Sequence, residues 1–523
     1  MSAVAVFEIV IGLLVAGALL AAWARRLNAP YPAFLALAGA GLALVPTAPT
    51  LSLQPDLVLV LFVAPVLLDA AYDASPRDLR DHWKPIAGGA VVAVILTVIA
   101  VALVARWLKP DMPWAVAITL GAIVAPPDAS AATAVLRALR PPHRVMVVLQ
   151  GESLLNDATA LLIYRVSAAA ALGSWAGWPA APGLVLAILG GVALGAALGW
   201  LYPRLLSRVD DVPTSVVIQF FGVFALWLLA ERLSLSPVVT MVSFAITVAR
   251  ISPERFSARE RIQSYAVWEV AVFVLNVLAF IIAGLQLRPI LAGLHDVAWR
   301  DYAAFAGAVL LAVIAIRIAW IACYNSVARW RDRRFGVRTR GIMTPPTIGT
   351  GAVIAWCGMR GVVTLATALA LPEDDGGGFP FRGLILFCAF TTVLGTLVLQ
   401  GLTLRPLMKA LRLVDDGAVA REIQLARTRT AEAALATLAD YDGPFAEALR
   451  AEYRARLQPR DATGTAAPTV PLPIEPRRRA QAAERHALLA LRRRNEIGDD
   501  AFHAIEEELD WGEMYVEGRL SRG

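Results

Sequence analysis

The chain has 523 residues, of which 58% are hydrophobic and only 17% are charged. Soluble domains average about 25% charged residues, so this composition argues against an ordinary soluble enzyme or binding module and indicates a polytopic membrane protein. The net charge of +6 does not predict a nucleic-acid partner, because many of the basic residues stand at the ends of apolar runs.

Thirteen apolar runs approach or reach the roughly 17–25 residues that cross a bilayer, and the second and ninth are short. They cover about 4–24, 31–48, 54–72, 85–107, 113–137, 145–171, 181–204, 214–232, 236–251, 265–291, 301–326, 346–370 and 381–411. The sequence therefore predicts an all-α membrane domain over residues 1–411, embedded in the lipid bilayer.

The loops between these runs differ strongly in basic charge. With the N-terminus placed outside, the inside loops carry twenty Lys and Arg residues and the outside loops carry six. Positively charged loops stay in the cytoplasm. We therefore expect an outer N-terminus, a cytoplasmic C-terminus and a multi-pass location in the inner (plasma) membrane.

Two of the predicted spans contain helix-breaking sequence. In span 5, Pro126 and Pro127 remove two backbone donors and clash with the preceding turn. In span 12, Gly358 and Gly361 flank Arg360 and loosen the helix. Spans 5 and 12 differ by an odd number, so their halves would be inverted in the membrane, as in transporters built from inverted repeats with two broken helices.

The chain changes character after about residue 411. Residues 412–523 read as a helical cytoplasmic tail, and the proline-rich stretch near 459–476 interrupts it as a flexible linker. The tail is expected to pack on itself or on a partner tail, with a regulatory role as the alternative.

Four polar residues fall where ion chemistry is plausible in a membrane. Asp128 follows the double-proline break, and a carboxylate at membrane depth usually marks an ion or proton path. Ser153, Asn156 and Asp157 share one helix face at i, i+3 and i+4. Asp157 lies near the bilayer centre. The carboxylate, amide and hydroxyl oxygens of these three side chains are ligands that suit a hard cation. A buried polar cluster that only joins helices is the alternative.

Other charged residues predict structural contacts. Glu152 and Arg360 are the candidate buried ion pair between spans 6 and 12, because an unpaired charge in the membrane is costly. For Asp69, near the end of span 3, the sequence supports two interpretations equally: a residue at the membrane interface or a residue of the ion site. For Glu269 and Arg317, two further charges within predicted spans, we expect packing or helix-pairing roles. No cofactor is expected, since the three cysteines read as small packing residues in apolar runs and the spacing of the five histidines offers no metal motif.

Five stretches together resemble the cation:proton antiporter-1 family, which includes bacterial sodium/proton antiporters and animal sodium/proton exchangers. The most specific is Gly-Glu-Ser-Leu-Leu-Asn-Asp-Ala at 151–158. The others, in the family's order along residues 1–411, are Leu-Leu-Asp-Ala-Ala-Tyr at 67–72, Ala-Pro-Pro-Asp at 125–128, Asn-Val-Leu-Ala-Phe-Ile-Ile-Ala-Gly at 276–284 and Met-Arg-Gly-Val-Val-Thr-Leu at 359–365.

The resemblance implies particular roles and a homodimer. Asp157 would alternately hold a proton or a Na⁺ ion, with Asp128 helping to bind the ion and Ser153 lending an oxygen. Asn156 would occupy the position associated with electroneutral exchange, and Glu152 would pair with Arg360. A core domain would shift against a dimerisation domain.

Three positions depart from the family pattern. Pro127-Asp128-Ala129 stands where the family has Thr-Asp-Pro, so the threonine oxygen is missing. Asp69 occupies the position of a family glutamate near span 3. Gln150 occupies the position of the acidic residue that often precedes Gly-Glu-Ser in the family. These changes affect cation preference and affinity rather than the exchange itself.

The hypothesis is therefore exchange of one monovalent cation, Na⁺ first, for one proton. K⁺/H⁺ exchange is the runner-up. An intramembrane aspartyl protease is a weaker alternative, because the sequence around Asp128 lacks the glycines expected there. A serine hydrolase is disfavoured because Gly-Glu-Ser-Leu-Leu lacks the closing glycine of a nucleophile elbow. A transport-dead membrane sensor is the last alternative.

Overall fold

A computed structural model describes residues 3–27, 30–46, 57, 59–139, 141–173, 181–209, 211–292, 299–335, 347–372, 378–457 and 474–520. All regular elements in these ranges are helices. The predicted all-α architecture is confirmed.

Seventeen helices precede the tail, and several of them are halves or short extensions of longer rods. They are α1 Ala3–Arg26, α2 Tyr31–Ala43, α3 Leu59–Tyr72, α4 Pro76–Asp81, α5 Trp83–Leu108, α6 Trp114–Val124, α7 Ala129–Leu139, α8 His143–Ala171, α9 Ala181–Leu206, α10 Val212–Arg232, α11 Pro237–Ile251, α12 Ala258–Leu285, α13 Leu287–Ala292, α14 Trp299–Phe335, α15 Ile348–Trp356, α16 Val362–Leu369 and α17 Arg382–Ala410.

Helices occur at each of the predicted spans. Eight segments of the described chain are long and apolar enough to cross a membrane, and α2 and α3 are shorter apolar helices. The multi-pass arrangement is thus established, whereas the count of thirteen stays a prediction. Helix α14 has 37 residues, so it is about 55 Å long and outreaches a hydrocarbon core of about 30 Å. Arg329 and Arg331, which fall between the predicted spans 301–326 and 346–370, lie on this extension.

Both predicted interruptions are present. Helix α6 ends at Val124 and α7 begins at Ala129, which leaves residues 125–128 without helical structure. Helix α15 ends at Trp356 and α16 begins at Val362, which leaves residues 357–361 without helical structure.

The long helices pack into two groups. Helices α5–α8 and α14–α17 pack most extensively with one another, and we call them the crossing bundle because they contain both interruptions. Helices α1–α3 and α9–α12 form the flanking bundle, whose tightest pairs are α9 with α11 and α2 with α12. Between the two groups the packing is sparser, and a cavity separates parts of them.

Four helices form the tail: α18 Ala418–Leu438, α19 Pro444–Leu457, α20 Ile474–Arg493 and α21 Asp499–Leu520. They pack on one another through two apolar clusters, one around Phe502 and Leu488 and one around Leu449 and Tyr453. The predicted linker near 459–476 lies outside the described residues up to position 473, and α20 begins at Ile474.

Three glycines allow α9 to approach α11 closely. Gly191, Gly195 and Gly199 recur every fourth residue and face the α11 backbone. An added Cβ at Gly195 would overlap the carbonyl oxygen of Thr240, whereas Gly183 on the same helix has open space around it. Small residues at this spacing let membrane helices pack backbone to backbone.

The paired variants Gly195→Ala and Gly183→Ala test this contact. Gly195→Ala should destabilise the protein by about 1–3 kcal/mol because the helices must separate. Gly183→Ala should be neutral or stabilising, since alanine favours a helix by up to about 1 kcal/mol over glycine. Thermal unfolding in detergent measures both, and equal melting temperatures for the two variants would contradict the close packing.

Candidate functional site

The first interruption leaves a helix end inside the protein. Pro126 and Pro127 cannot donate to the preceding turn, so the last carbonyls of α6 have no helical partners. Asp128 then begins α7 by accepting a hydrogen bond from the Ser130 N–H at 2.8 Å. A carboxylate at this position is stabilised by the positive end of the helix dipole.

The second interruption crosses the first. The Asp128 N–H donates to the Met359 carbonyl at 2.7 Å, which joins the two non-helical segments directly. An added Cβ at Gly361 would overlap the Asp128 carboxylate, so only glycine permits this approach.

Arg360 stabilises the crossing. Its Nε and Nη2 donate to the carbonyls of Val124 and Ala125 at 3.0 Å each, and the side chain is 1% exposed. Its own N–H donates to the Thr396 hydroxyl at 3.0 Å. A cation is well placed here, because the C-terminus of α6 carries partial negative charge.

The predicted ion pair between Glu152 and Arg360 is wrong. Glu152 receives two hydrogen bonds from Arg317 of α14, at 2.6 and 3.1 Å, and both side chains are buried. The fork of the guanidinium matches the two carboxylate oxygens. The Arg360 guanidinium donates its hydrogen bonds to backbone carbonyls instead, so it does not pair with Glu152. The helix-pairing role expected for Arg317 agrees with this contact.

A cavity of about 1080 Å³ lies between the two bundles. Its lining runs from the crossing, at Asp128 and Gly361, to the ends of three helices at Arg25, Asp73 and Leu139. Those ends belong to the side that the charge pattern assigns to the cytoplasm.

Three of the predicted site residues meet at the inner end of this cavity. Asp128, Ser153 and Asp157 all line it, and the two carboxylates are close enough for their charges to interact. The Ser153 hydroxyl accepts a hydrogen bond from the Ala129 N–H at 3.3 Å. Among the described residues, Asp157 has no hydrogen-bond or ion-pair partner. Its carboxylate therefore needs a proton or a cation from the cavity to balance its charge.

Asn156 has a different position from the one expected of an ion ligand. It is fully buried, and its amide nitrogen donates to the Pro127 carbonyl at 2.7 Å. It is not among the residues that line the cavity. The amide therefore holds the first interruption in place, while its oxygen has no partner in the described part of the chain.

Asp69 lies on the opposite wall of the same cavity, on α3 of the flanking bundle. Sequence reasoning missed Thr364 of α16, which lines the cavity with a buried hydroxyl that has no hydrogen-bond partner among the described residues. It also undervalued Glu269, which is exposed toward the cavity from α12. The signal for Thr364 was its place three residues after Gly361 in the second interruption.

A double-mutant cycle distinguishes the two possible partners of Glu152. We expect Glu152→Gln and Arg317→Gln to show a coupling energy of about 1–3 kcal/mol. The coupling of Glu152→Gln with Arg360→Gln should be smaller, because those side chains share no hydrogen bond. Thermal unfolding of the single and double variants gives both values. A larger coupling with Arg360 would overturn the assignment.

Comparisons with known proteins agree with this geometry. The profile of the family described as sodium/hydrogen exchanger, transmembrane, matches residues 13–410. An uncharacterised Na⁺/H⁺ exchanger of Mycobacterium tuberculosis is 33% identical over 539 aligned positions, which cover 97% of each chain. The sodium, potassium, lithium and rubidium/H⁺ antiporter of Bacillus subtilis is 30% identical, over 67% of this chain and 54% of that one.

A solved structure shares the fold. The sodium proton antiporter MjNhaP1 of Methanocaldococcus jannaschii, solved at pH 8, matches with a TM-score of 0.58 and 18% identity. The match covers 78% of this chain and 99% of the archaeal one. Given the crossing of two interrupted helices and a family match across nearly all of the membrane helices, this chain belongs to the sodium/hydrogen exchanger family.

Proposed function

We propose that this protein is a secondary active antiporter that exchanges one monovalent cation for one proton, with Na⁺ as the expected cation. The observation that carries the proposal is the Asp157 carboxylate, which faces a cavity between two bundles without a partner among the described residues. A buried carboxylate in that position is costly unless it is neutralised.

Competition at Asp157 accounts for exchange. The carboxylate cannot hold a proton and a cation at once, so each displaces the other. Two interacting carboxylates, Asp157 and Asp128, lose their protons in coupled steps. If only the loaded forms of the protein change orientation, entry of one ion is tied to exit of the other. One carboxylate that exchanges one proton for one monovalent cation makes the cycle electroneutral.

The surrounding groups suit a dehydrated alkali cation. Carboxylate and hydroxyl oxygens are ligands that hard cations prefer. Asp157, Asp128, Ser153 and Thr364 supply such oxygens from the crossing bundle, and Asp69 supplies one from the flanking bundle. A site with ligands on both bundles would sense their relative displacement, which is how the cavity would open to one side and then the other.

The same exchange could carry other monovalent cations besides Na⁺. The Bacillus subtilis relative is named for sodium, potassium, lithium and rubidium, which supports K⁺/H⁺ exchange as the alternative. The wide cavity and the missing threonine oxygen at position 127 favour a less selective site.

The membrane arrangement completes the proposal. We infer thirteen spans with the N-terminus outside and the tail in the cytoplasm of the cell, in the inner membrane. We also propose a homodimer, which the family resemblance implies.

Replacement of Asp157 by asparagine tests the central residue. Asp157→Asn keeps the shape of the side chain but binds neither a proton nor a cation in the required way, so cation-driven pH change in proteoliposomes should fall to background. Asp301→Asn is the matched control, because Asp301 is exposed at the start of α14. Full activity of Asp157→Asn would remove the proposal.

The pH dependence of cation affinity tests the competition. Below the pH at which the carboxylate ionises, the half-saturating Na⁺ concentration should rise about tenfold for each pH unit lost, the linkage expected for one proton. The rate at saturating Na⁺ should change much less. Flux measured over a grid of Na⁺ concentration and pH gives this slope, and repetition with K⁺ and Li⁺ ranks the cations.

A slope near zero in that experiment would contradict a shared site. A slope of about one hundredfold per pH unit would indicate two competing protons and would contradict the electroneutral stoichiometry.

A further inference from the structure

Helix α21 of the tail lies against the ends of helices from both bundles. Its N-terminal turn is next to α4 and α8, which belong to the crossing side, and its middle packs on α12 of the flanking bundle. The tail is thus in contact with both sides of the cavity.

The attachment to the flanking bundle is a buried charge network. Arg261 of α12 donates two hydrogen bonds to Asp510, at 2.8 and 2.5 Å, and Glu506 lies 3.6 Å from the same guanidinium. These side chains are 2–5% exposed. His503 lies within 3.3 Å of the Tyr265 hydroxyl and 3.2 Å of Glu506. The middle of α21 is therefore held by the permanently charged Arg261, by the titratable His503 and by packing.

The attachment to the crossing bundle includes a histidine that lies between two carboxylates. His143, the first residue of α8, lies between two carboxylates: Nε2 is 3.1 Å from Asp78 of α4, and Nδ1 is 3.4 Å from Asp500 of α21. Arg77 of α4 supports the same contact by donating to Asp78 and to Glu422 of α18, at 3.1 and 2.8 Å.

We propose that α21 is a strap across the two bundles, and that protonated His143 fastens it by bridging Asp78 and Asp500. The distance suits a single rigid helix, because Asp500 and Asp510 are ten residues apart and a helix rises about 1.5 Å per residue. The strap therefore joins attachment points roughly 15 Å apart along one rod.

The chemistry of imidazole makes the bridge sensitive to pH. Only the imidazolium form donates from both nitrogens; a neutral ring has one donor and one acceptor. On deprotonation, one nitrogen presents its lone pair to a carboxylate, and one end of the bridge is lost. Asp500 is the end that leaves, because its side chain is 59% exposed while that of Asp78 is 4% exposed.

The surroundings of the ring place this change toward alkaline pH. Burial lowers the pKa of His143, but the hydrogen bond with Asp78 and the charges of Asp500, Asp78 and Glu422 outweigh it and raise the pKa above the ordinary value. A group with a raised pKa stabilises the docked tail fully below its ordinary pKa of about 6.5. That stabilisation is lost as the pH rises through the raised value.

The consequence for transport rests on the proposed function. If the two bundles move relative to each other during exchange, a fastened strap opposes that movement. The tail would slow exchange in an acidic cytoplasm, where further proton entry is harmful, and would release the bundles when the cytoplasm becomes alkaline.

Hydrogen exchange of the full-length protein tests the strap without any transport measurement. At about pH 6 and about pH 8.5, on either side of the ordinary histidine pKa, amides 500–510 should be more protected at the lower pH after correction for intrinsic rates. His143→Gln and Asp500→Asn should each reduce the difference, and what remains comes from the contact of His503 with Glu506. His486→Gln is the matched control, because His486 is an exposed tail histidine.

Exchange rates in proteoliposomes test the restraint. At a cytoplasmic-side pH of about 6, His143→Gln and Asp500→Asn should transport roughly three- to tenfold faster than the wild type, the effect of losing one partly exposed charge-assisted bond. His486→Gln should match the wild type.

The outcomes separate the two proposals. Protection of α21 that depends on pH equally in His143→Gln and in the wild type would overturn the bridge. A lost bridge with unchanged transport would overturn the restraint. A wild type without cation-driven pH change would remove the proposed function, while hydrogen exchange would still decide whether the bridge exists.

Discussion

The structure depends on two interrupted helices satisfying each other's backbone. Backbone groups freed inside a bilayer cost several kcal/mol each unless protein or water binds them. Here the carbonyls of Val124 and Ala125 accept from Arg360, and the Asp128 N–H donates to Met359. Neither interruption would be stable alone, because each supplies the partners that the other lacks.

This arrangement also decides which charged side chains at the centre of the protein have a partner. Arg360 is matched to the negative end of α6, and Glu152 is matched to Arg317. Asp128 is held at the start of α7 by the Ser130 N–H. Within the described residues Asp157 is the carboxylate of this group without such a partner. The neighbourhood gives Arg360, Glu152 and Asp128 fixed partners and leaves the Asp157 carboxylate facing the cavity, where a proton or a cation can reach it.

Sequence alone predicted the parts that depend on local chemistry. Apolar run lengths located the helices, the double proline located the first interruption, and the depth of Asp157 in its span marked a carboxylate that lines the cavity. It failed where the outcome depends on which helices are neighbours. Two arginines, Arg317 and Arg360, were both far along the chain from Glu152, and nothing in their spacing shows which one reaches it. The amphipathic tail predicted helices but not their docking surface, since that surface includes scattered charges on α4, α8 and α12.

Helix α8 connects the proposed ion site to the proposed histidine bridge. It carries Asp157 at the crossing and His143 at its first residue, fourteen positions away. At about 1.5 Å per residue the two lie roughly 21 Å apart on one continuous rod. A displacement of α8 that changes the surroundings of Asp157 must also move His143 relative to Asp500. Because coupling between distant sites requires an element that both can bias, this single helix is sufficient to link the state of the tail to the state of the ion site, without any chain of intermediate side chains.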